Sequence, residues 1–368
     1  MRILQIANDY LNTNLYNELF DALSKVKTEN HVYIPVNVEL VKKIKIYNNT
    51  IISPCFTKID RFLFFTKQKK MFRDVTQKLA INEFDVIHAH TLFSGGYLAY
   101  QLNKKYNIPY IVAVRNTDIN VFFKYMIHLR STGINILRNA SSVVFLSPAY
   151  RERLINHYVP RKLREEIFKK SIVIPNGIDD YWLENKYYRE ISPEGKKLKL
   201  IFVGSITPNK GIEVSVKACE LLIEEGYDIE FTMIGKVECK AYKKMIESSN
   251  FIRHIDYSPK EVIIEHMRKA DIFIMPSKHE TFGLVYAEAM SQGLPVIYTE
   301  GEGFDGQFPE GEVGFHVSTN DPKEIVEAIY KIMNDYVNIS DRCVKKVERF
   351  NWDMIAQNLL NLYSETKI

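Results

Sequence analysis

Two glutamates with seven residues between them lie in the part of the chain whose residue types best suit chemistry. The segment from Met275 to Pro295 reads as a strand end, a glycine-bearing loop, a helix, a second glycine and a new strand. Glu280 falls on the loop and Glu288 within the helix. If the helix begins near Gly283, its unpaired N–H groups and dipole can hold a diphosphate without a metal ion. The two carboxylates are suited to binding sugar and ribose hydroxyls.

A second candidate loop follows the first strand of the chain's C-terminal half. Gly204 and Ser205 stand at the end of that strand, and Lys210 precedes an amphipathic helix. A lysine ammonium in this position neutralises phosphate as a point charge. Lysine-glycine turns are common, so the loop indicates a phosphate site only in combination with the glutamate segment.

Other interpretations of these residues stay open at this point. Glu280 can be a charge at a helix N-terminus and Glu288 a solvated surface residue. His88 and His90 follow a strand, and ligands of doubly wound sheets gather at the carboxyl ends of strands. The alternative for both histidines is a buried, hydrogen-bonded position.

Short apolar runs alternate with longer amphipathic stretches along the whole chain, which is typical of parallel βαβ units. The pattern lapses between Gly177 and Lys197 and then restarts. We therefore predict an N-terminal domain over 1–180, a C-terminal domain over 181–345 and a terminal amphipathic helix within 346–368. The predicted strands are Arg2–Ala7, His31–Val36, Val86–His90, Tyr110–Arg115, Val143–Ser147, Ile172–Pro175, Leu200–Gly204, Glu230–Gly235, Ile272–Pro276 and Pro295–Thr299.

Composition limits the class of protein. The chain has 368 residues, 46% of them hydrophobic, which is enough for two buried cores. A formal net charge of +4 is too small for a protein that wraps nucleic acid. Four scattered cysteines form neither a metal motif nor a disulfide framework, and no apolar run is long enough for a membrane span. With no signal-peptide pattern, the expected location is the cytoplasm.

Taken together, the Glu-x7-Glu pair and the Gly-…-Lys-Gly loop resemble the retaining GT-B glycosyltransferases of sequence family 4. The resemblance extends to Asn176-Gly177 near the domain junction, to the Asp85–His90 segment and to the terminal helix, so it covers nearly the whole chain. It implies an α/β fold of two Rossmann-like domains whose parallel sheets face each other across an interdomain cleft. The C-terminal helix would return to the N-terminal domain.

The resemblance also implies roles for individual residues. Glu288 would bind the ribose hydroxyls, Glu280 the donor sugar, and Lys210 the diphosphate. The backbone of Phe282, Gly283 and Leu284 would contact the sugar and phosphates. The other donor-binding candidates are Gly204, Ser205 and Asn176, and the acceptor-side candidates are His88, His90 and Asp118.

Two departures from the family pattern affect the predicted chemistry. Many relatives carry arginine where this chain has Ser205, which leaves Lys210 as the evident cation of the loop. A frequent His-Gly-x-Asp sequence is replaced by Arg115-Asn-Thr-Asp118. Arginine does not act as a base but stabilises a leaving phosphate. The predicted catalytic residues are therefore Glu280, Lys210 and Arg115.

The predicted reaction follows from the same resemblance. A hexosyl group would pass, with retention of configuration, from a UDP- or GDP-linked sugar to a glycan or lipid-linked acceptor in cell-surface polysaccharide or glycolipid synthesis. No Asp-x-Asp stands at a strand end, so we predict neither metal nor other cofactor. The alternatives are a non-catalytic nucleotide-sugar-binding subunit and a nucleotide-sugar epimerase. A nicotinamide dehydrogenase is disfavoured because G-x-G-x-x-G follows neither first strand.

Basic and aromatic residues are interleaved between residues 57 and 79. Such a surface suits anionic lipid headgroups, which would place the protein peripherally on the inner face of a membrane. The alternative is an ordinary helix whose aromatic residues pack on the first domain. The basic members of the stretch are Lys58, Arg61, Lys67, Lys69, Lys70, Arg73 and Lys78.

Overall fold

A computed structural model describes residues 1–12, 15–39 and 47–366 of the chain. The contacts divide it into two compact units. The N-terminal unit runs to Leu146, resumes from Tyr150 to Gly177, and takes in the C-terminal stretch that begins at Trp352. The C-terminal unit comprises Ser147–Ala149 and Ile178–Asn351. The predicted change of domain near Asp180 lies close to the observed one after Gly177.

The N-terminal unit is built on a seven-stranded sheet in which every neighbouring pair of strands is parallel. The order is β3-β2-β1-β4-β5-β6-β7. Its strands are β1 (Arg2–Ile6), β2 (Glu29–Asn37), β3 (Thr50–Phe56), β4 (Val86–Ala89), β5 (Tyr110–Val114), β6 (Ser142–Phe145) and β7 (Ser171–Val173).

The C-terminal unit holds a six-stranded parallel sheet in the order β10-β9-β8-β11-β12-β13. Its strands are β8 (Lys197–Val203), β9 (Asp228–Ile234), β10 (Ile252–Ile255), β11 (Ile272–Ile274), β12 (Val296–Thr299) and β13 (Gly314–Val317). Two parallel-sheet, Rossmann-like domains are therefore confirmed. Three strands, β3, β10 and β13, were not among those predicted, and all three lie at sheet edges.

Within the described residues, helices connect most consecutive strands of both units, as is usual for parallel pairing, whereas β12 and β13 are joined without a helix. A π-helical turn, Asp118–Phe123, follows β5, and a short 3₁₀ turn, Pro208–Lys210, follows β8. The α-helices are α1 (Leu15–Lys25), α2 (Phe64–Lys78), α3 (Ser94–Tyr106), α4 (Arg130–Asn139), α5 (Pro148–His157), α6 (Arg161–Lys169), α7 (Asp180–Glu184), α8 (Ile212–Glu224), α9 (Lys240–Ser248), α10 (Lys260–Lys269), α11 (Leu284–Ser291), α12 (Pro322–Asn334), α13 (Tyr336–Lys346) and α14 (Trp352–Thr366).

The central strands of the N-terminal sheet are buried on both faces, as expected of a sheet covered by helices. Alternate residues of β5 point to two separate cores, with Val112 and Val114 in one and Ile111 in the other. Helix α14 closes the second core against α1, and the indole of Trp352 donates a hydrogen bond to Glu18 over 2.8 Å. The predicted return of the C-terminal helix to the N-terminal unit is thus observed.

Strand order changes direction once in each sheet. In the N-terminal sheet the change falls between β1 and β4, and in the C-terminal sheet between β8 and β11. The loops at the carboxyl ends of two such strands diverge, and the crevice between them is where open α/β sheets bind ligands. The loop after β8 carries Lys210, and the loop and the helix after β11 carry Glu280 and Glu288.

Candidate active site

The predicted donor residues of the C-terminal unit meet at its strand-order change. Lys210 closes the 3₁₀ turn after β8, and Glu280 lies on the loop after β11. The ammonium Nζ of Lys210 lies 2.7 Å from Oε2 of Glu280. Their side chains are only 22% and 16% exposed, so the pair is largely shielded from water. The structure therefore brings together two residues that are 70 positions apart in sequence.

A glycine permits the two loops to approach this closely. Gly211 has φ +66°, and a Cβ added there would lie 2.2 Å from the carbonyl oxygen of Pro276. The backbone N–H of Lys278 donates to the carbonyl of Asn209 over 2.7 Å, and the Asn209 amide donates to the carbonyl of His279 over 2.8 Å. These contacts hold the Lys210 turn against the Glu280 loop.

Helix α11 begins beside this pair, as the sequence predicted. Gly283 precedes its first residue with φ +75°, and no side chain caps the helix N-terminus. Its first-turn N–H groups therefore remain suited to an anion. Phe282 is buried, with its ring packed against that of Phe350, and Leu284 is half-buried. Glu288 is half-buried within the same helix.

The remaining predicted residues of this unit lie on the β8 loop. Gly204 has φ +147°, and its N–H donates to the Ile234 carbonyl over 2.9 Å. A Cβ on Gly235 would lie 2.1 Å from the Gly204 carbonyl, so the β8 and β9 loops are also in close contact. Ser205 is exposed beside them.

A third loop, between β12 and β13, supports Glu280, although its residues were not among the predicted site residues. Glu302 is 5% exposed, and its Oε2 accepts the backbone N–H of Glu280 over 2.9 Å. Its Oε1 lies 3.7 Å from Nδ1 of His279. In return the N–H of Gly303 donates to the Glu280 carbonyl over 2.9 Å. The sequence showed only a glycine-rich stretch here, and nothing in its pattern marked Glu302 as the residue that positions the Glu280 loop.

The two predicted histidines lie in the N-terminal unit, at the end of β4 beside its strand-order change. Both are buried, and their rings stack with centroids 4.3 Å apart. Nδ1 of His88 lies 2.7 Å from the hydroxyl of Tyr363 in α14, and Nε2 of His90 lies 2.8 Å from the side-chain amide oxygen Oε1 of Gln5. Their positions match the buried, hydrogen-bonded alternative, and contact with an acceptor stays a prediction.

Arg115 and Asp118 form one compact arrangement after β5. The Asp118 carboxylate is buried and accepts three backbone N–H groups, from Leu92 at 3.0 Å, Phe93 at 3.1 Å and Arg115 at 2.9 Å. The guanidinium Nε of Arg115 donates to the carbonyl of His90 over 2.9 Å. Burial raises the pKa of Asp118 to about 6, while the backbone donors act in the opposite direction. Asp118 thus holds the loops after β4 and β5 together.

Asn176 lies in the loop after β7 and is half-buried. The next residue, Gly177, passes so close to the ring of Trp352 that an added Cβ would lie 2.4 Å from it. This loop is therefore tied to the start of α14 within the N-terminal unit. The donor-binding role of Asn176, like the catalytic role of Arg115, stays a prediction.

The stacked histidines predict a dependence of stability on pH. Burial lowers the pKa of His88 to about 3 and that of His90 well below its usual value, with further lowering from Arg115. Below pH ~6.5 the two histidines bind protons in the unfolded chain but stay neutral in the folded chain. The free energy of unfolding therefore decreases as the pH is lowered. The slope is about 1.4 kcal/mol per pH unit for each histidine. When the pH is lowered from 7.5 to 5.5, we expect the free energy of unfolding of His88→Gln to decrease by about 1.4 kcal/mol less than that of wild type.

The measurement is urea unfolding of both proteins at the two pH values. Asp118, whose raised pKa acts in the opposite sense, is present in both and cancels in the comparison. His157→Gln is the matched control, because His157 is exposed at the end of α5 and its replacement makes the same chemical change outside the buried pair. Equal losses in wild type and His88→Gln would contradict the assignment of His88 as buried and neutral.

Within residues 1–12, 15–39 and 47–366, no group of three or more histidine, cysteine, aspartate or glutamate side chains is arranged to hold a metal ion. The same part of the chain contains no helix long and apolar enough to cross a membrane.

Comparison with known proteins agrees with this geometry. A family model described as glycosyl transferases group 1 matches residues 184–350, and one described as glycosyltransferase family 4 matches residues 22–181. An uncharacterized glycosyltransferase of Methanocaldococcus jannaschii is 25% identical over 87% of this chain and 86% of its own. The capsular polysaccharide biosynthesis glycosyltransferase CapM of Staphylococcus aureus is 26% identical over 61% of this chain and 62% of its own.

Among solved structures, HepE of Anabaena in complex with UDP superposes with a TM-score of 0.70 at 16% identity, covering 99% of this chain and 100% of HepE. This likeness shows the fold. The two family models between them take in six of the seven strands of the N-terminal sheet, all of the C-terminal sheet and the Lys210–Glu280 pair. The chain is therefore a glycosyltransferase of the GT-B fold, similar to those of family 4.

Proposed function

We propose that this enzyme is a retaining hexosyltransferase whose donor is a UDP- or GDP-linked sugar. The observation that carries the proposal is the Lys210–Glu280 pair, held at 2.7 Å beside the uncapped N-terminus of α11. A fixed cation and a helix N-terminus are together suited to a diphosphate. The UDP complex of HepE supports this choice of donor class.

Each donor-site residue has a distinct proposed task. Lys210 neutralises the charge that develops on the departing diphosphate, and the N–H groups of Gly283 and Leu284 bind its oxygens. Glu280, positioned by Glu302, accepts hydrogen bonds from the sugar hydroxyls. Glu288 accepts hydrogen bonds from the ribose hydroxyls. Gly204 and Ser205 line the β8 loop beside the phosphates.

The proposed reaction breaks the bond between the anomeric carbon and the diphosphate oxygen. The acceptor hydroxyl oxygen bonds to the same face of the anomeric carbon, and its proton passes to the leaving diphosphate. Configuration is thereby retained without a dedicated carboxylate base. The stabilisation required is electrostatic, because charge accumulates on the leaving group in the transition state. Lys210 and the α11 N-terminus supply it without a metal ion.

We further propose that the acceptor is a glycan or lipid-linked glycan of a cell-surface polysaccharide or glycolipid, in line with the relative CapM, a capsular polysaccharide biosynthesis glycosyltransferase. Residues 57–79 would bring the enzyme to the anionic inner face of a membrane. Their charge supports this proposal, since Lys69 and Arg73 are exposed while Asp60 and Asp74 are paired with Lys70 and Lys78. The side chain of Arg61 lies outside the described part of the chain.

The test is calorimetric titration of the purified protein with UDP, GDP and ADP and their sugar conjugates, in EDTA. We expect one base to bind selectively. Glu288→Ala should weaken its nucleotide affinity about 10- to 100-fold, because a hydrogen bond to a charged group contributes about 1.5–3 kcal/mol. Glu280→Ala should lower turnover more than nucleotide affinity.

The matched control is Glu220→Ala. Glu220 is an exposed glutamate of α8, and its loss should change neither nucleotide affinity nor turnover. Binding without turnover on any acceptor would favour a non-catalytic subunit. Conversion of the donor without an acceptor would favour an epimerase. Unchanged binding and turnover in both glutamate variants would refute the site assignment.

A further inference from the structure

An exposed apolar surface lies in the N-terminal unit and includes residues of the 57–79 stretch. It is made by two segments, one ending at the start of α2 and the other running through the π-helical turn after β5. We call this surface the apolar tip. Its members are Ile59, Phe62, Leu63, Phe65, Val121, Tyr125 and Ile127.

The exposure of the apolar tip is large for side chains of this kind. Phe62 is 90% exposed, Ile59 72% and Tyr125 68%. The two segments are joined by aromatic contact, since the rings of Phe64 and Phe122 lie 6.4 Å apart in an edge-to-face arrangement. They therefore form one contiguous surface. Contiguous exposed apolar surface marks an interaction site, because leaving it in water is unfavourable.

Two exposed cations, Lys69 and Arg73, follow the apolar tip along α2. At a rise of about 1.5 Å per residue, Lys69 lies about 6 Å and Arg73 about 12 Å beyond Phe65 along the helix. Neither cation has a hydrogen-bond or ion-pair partner among the described residues. Both line a cavity of about 390 Å³, together with Cys55, Thr66, Lys70, Asp74 and Gln77. Lys124 adds an exposed cation in the second segment.

Acidic groups near this surface are already neutralised. Asp60 pairs with Lys70 at 2.7 Å, and Asp74 pairs with Lys78 at 2.9 Å. Asp118, at the start of the second segment, is buried under its three backbone donors. The net field around the apolar tip is therefore positive, which is complementary to an anionic partner.

We propose that the apolar tip inserts end-on into an anionic phospholipid bilayer, with the phosphate of a lipid headgroup held in the cavity between Lys69 and Arg73. The spacing supports this order, since interfacial side chains reach about 5–10 Å below the headgroups and the cations follow by a similar distance. The inference rests on the proposed membrane-side acceptor and deepens it in two ways. It makes the second segment part of the membrane contact. It also orients α2 steeply to the membrane plane rather than parallel to it.

Binding is tested by co-sedimentation with vesicles of phosphatidylcholine, alone or with phosphatidylglycerol. We expect binding only with the anionic lipid. The double variant Phe62→Ser/Tyr125→Ser should lose about tenfold or more in vesicle affinity. Lys69→Gln and Arg73→Gln should each lose about fivefold. The matched controls, Tyr257→Ser and Lys244→Gln, change exposed residues of the C-terminal unit and should bind like wild type.

Orientation is tested by introducing tryptophan and quenching its fluorescence with acyl-chain-brominated lipid. The native Trp182 and Trp352 are buried and serve as a constant background. Phe62→Trp and Tyr125→Trp should be quenched, whereas Gln77→Trp, at the far end of α2, should not. Quenching of Phe62→Trp and Gln77→Trp without Tyr125→Trp would show a flat helix and overturn the proposal.

Two other outcomes would also overturn it. One is absence of vesicle binding. The other is a dimer in the absence of lipid that Phe62→Ser dissociates, because a second copy would then cover the apolar tip. Nucleotide titration of the same variants keeps this inference separate from the transferase proposal, since tip variants should bind nucleotide like wild type even where vesicle binding fails.

Discussion

Lys210→Ala is expected to lower kcat for glycosyl transfer about 10²- to 10³-fold, the usual effect of removing one preorganised group that stabilises transition-state charge. The ammonium of Lys210 lies beside the N-terminus of α11, and its pairing with Glu280 at 2.7 Å fixes it there. Charge on the leaving diphosphate grows during bond breaking. The loss should therefore appear mainly in kcat and less in nucleotide affinity.

The measurement is steady-state kinetics with the donor identified by calorimetry, together with nucleotide titration of the variant. Lys217→Ala is the matched control, since Lys217 is exposed on α8, directly after the same loop. Lys210→Arg keeps the charge in a different geometry and should lie between wild type and Lys210→Ala. A kcat for Lys210→Ala within a few-fold of wild type would remove Lys210 from the proposed mechanism.

Asp118→Ala is expected to give the largest loss of stability, about 3–5 kcal/mol in the N-terminal unit. The substitution leaves three backbone N–H groups, of Leu92, Phe93 and Arg115, without their carboxylate acceptor. A buried donor without a partner costs about 1–3 kcal/mol, and such effects are not fully additive. Asp118→Asn retains one acceptor oxygen and should lose less.

Urea unfolding can be followed separately in each unit, because Trp352 belongs to the N-terminal unit and Trp182 to the C-terminal unit. With Trp182→Phe in the background, the remaining signal reports the unit that contains Asp118. The control is Glu165→Ala, which removes an exposed pairing with Lys169 on α6 of the same unit and should change stability by no more than about 1 kcal/mol. If the loss of stability for Asp118→Ala is no larger than that of the control, the three hydrogen bonds accepted by Asp118 do not stabilise the N-terminal unit.

Of the thirteen strands within the described residues, the sequence identified ten and missed three of the four at sheet edges. Interior strands such as β4 and β5 are buried throughout and read as unbroken apolar runs. The missed strands β3 and β10 carry polar, partly exposed residues, because an edge strand has one side without a neighbour. Their assignment depends on which strand they pair with, and residue patterns do not encode that pairing locally.

Some donor-site residues were predictable from the sequence and others were not. Gly283 was predicted at the helix start because glycine there has a local conformational reason, and the structure places it at φ +75°. Glu302 was missed because its task is to accept the N–H of Glu280, 22 residues earlier, and a buried carboxylate has no distinctive sequence neighbours. His88 and His90 were left between two interpretations, since a histidine after a strand looks the same whether it is buried or exposed.

By itself, the sequence determined the alternation of strands and helices, the two parallel-sheet domains, the glutamate pair and the helix start beside it. These features rest on hydrophobic periodicity and local backbone preference, which act over a few residues. Only the tertiary structure decided that Lys210 meets Glu280, that Asp118 clamps two loops, and that the apolar tip joins residues near 62 and 125. Contacts of this kind arise when the ends of distant strands are brought together by sheet order, which no local pattern specifies.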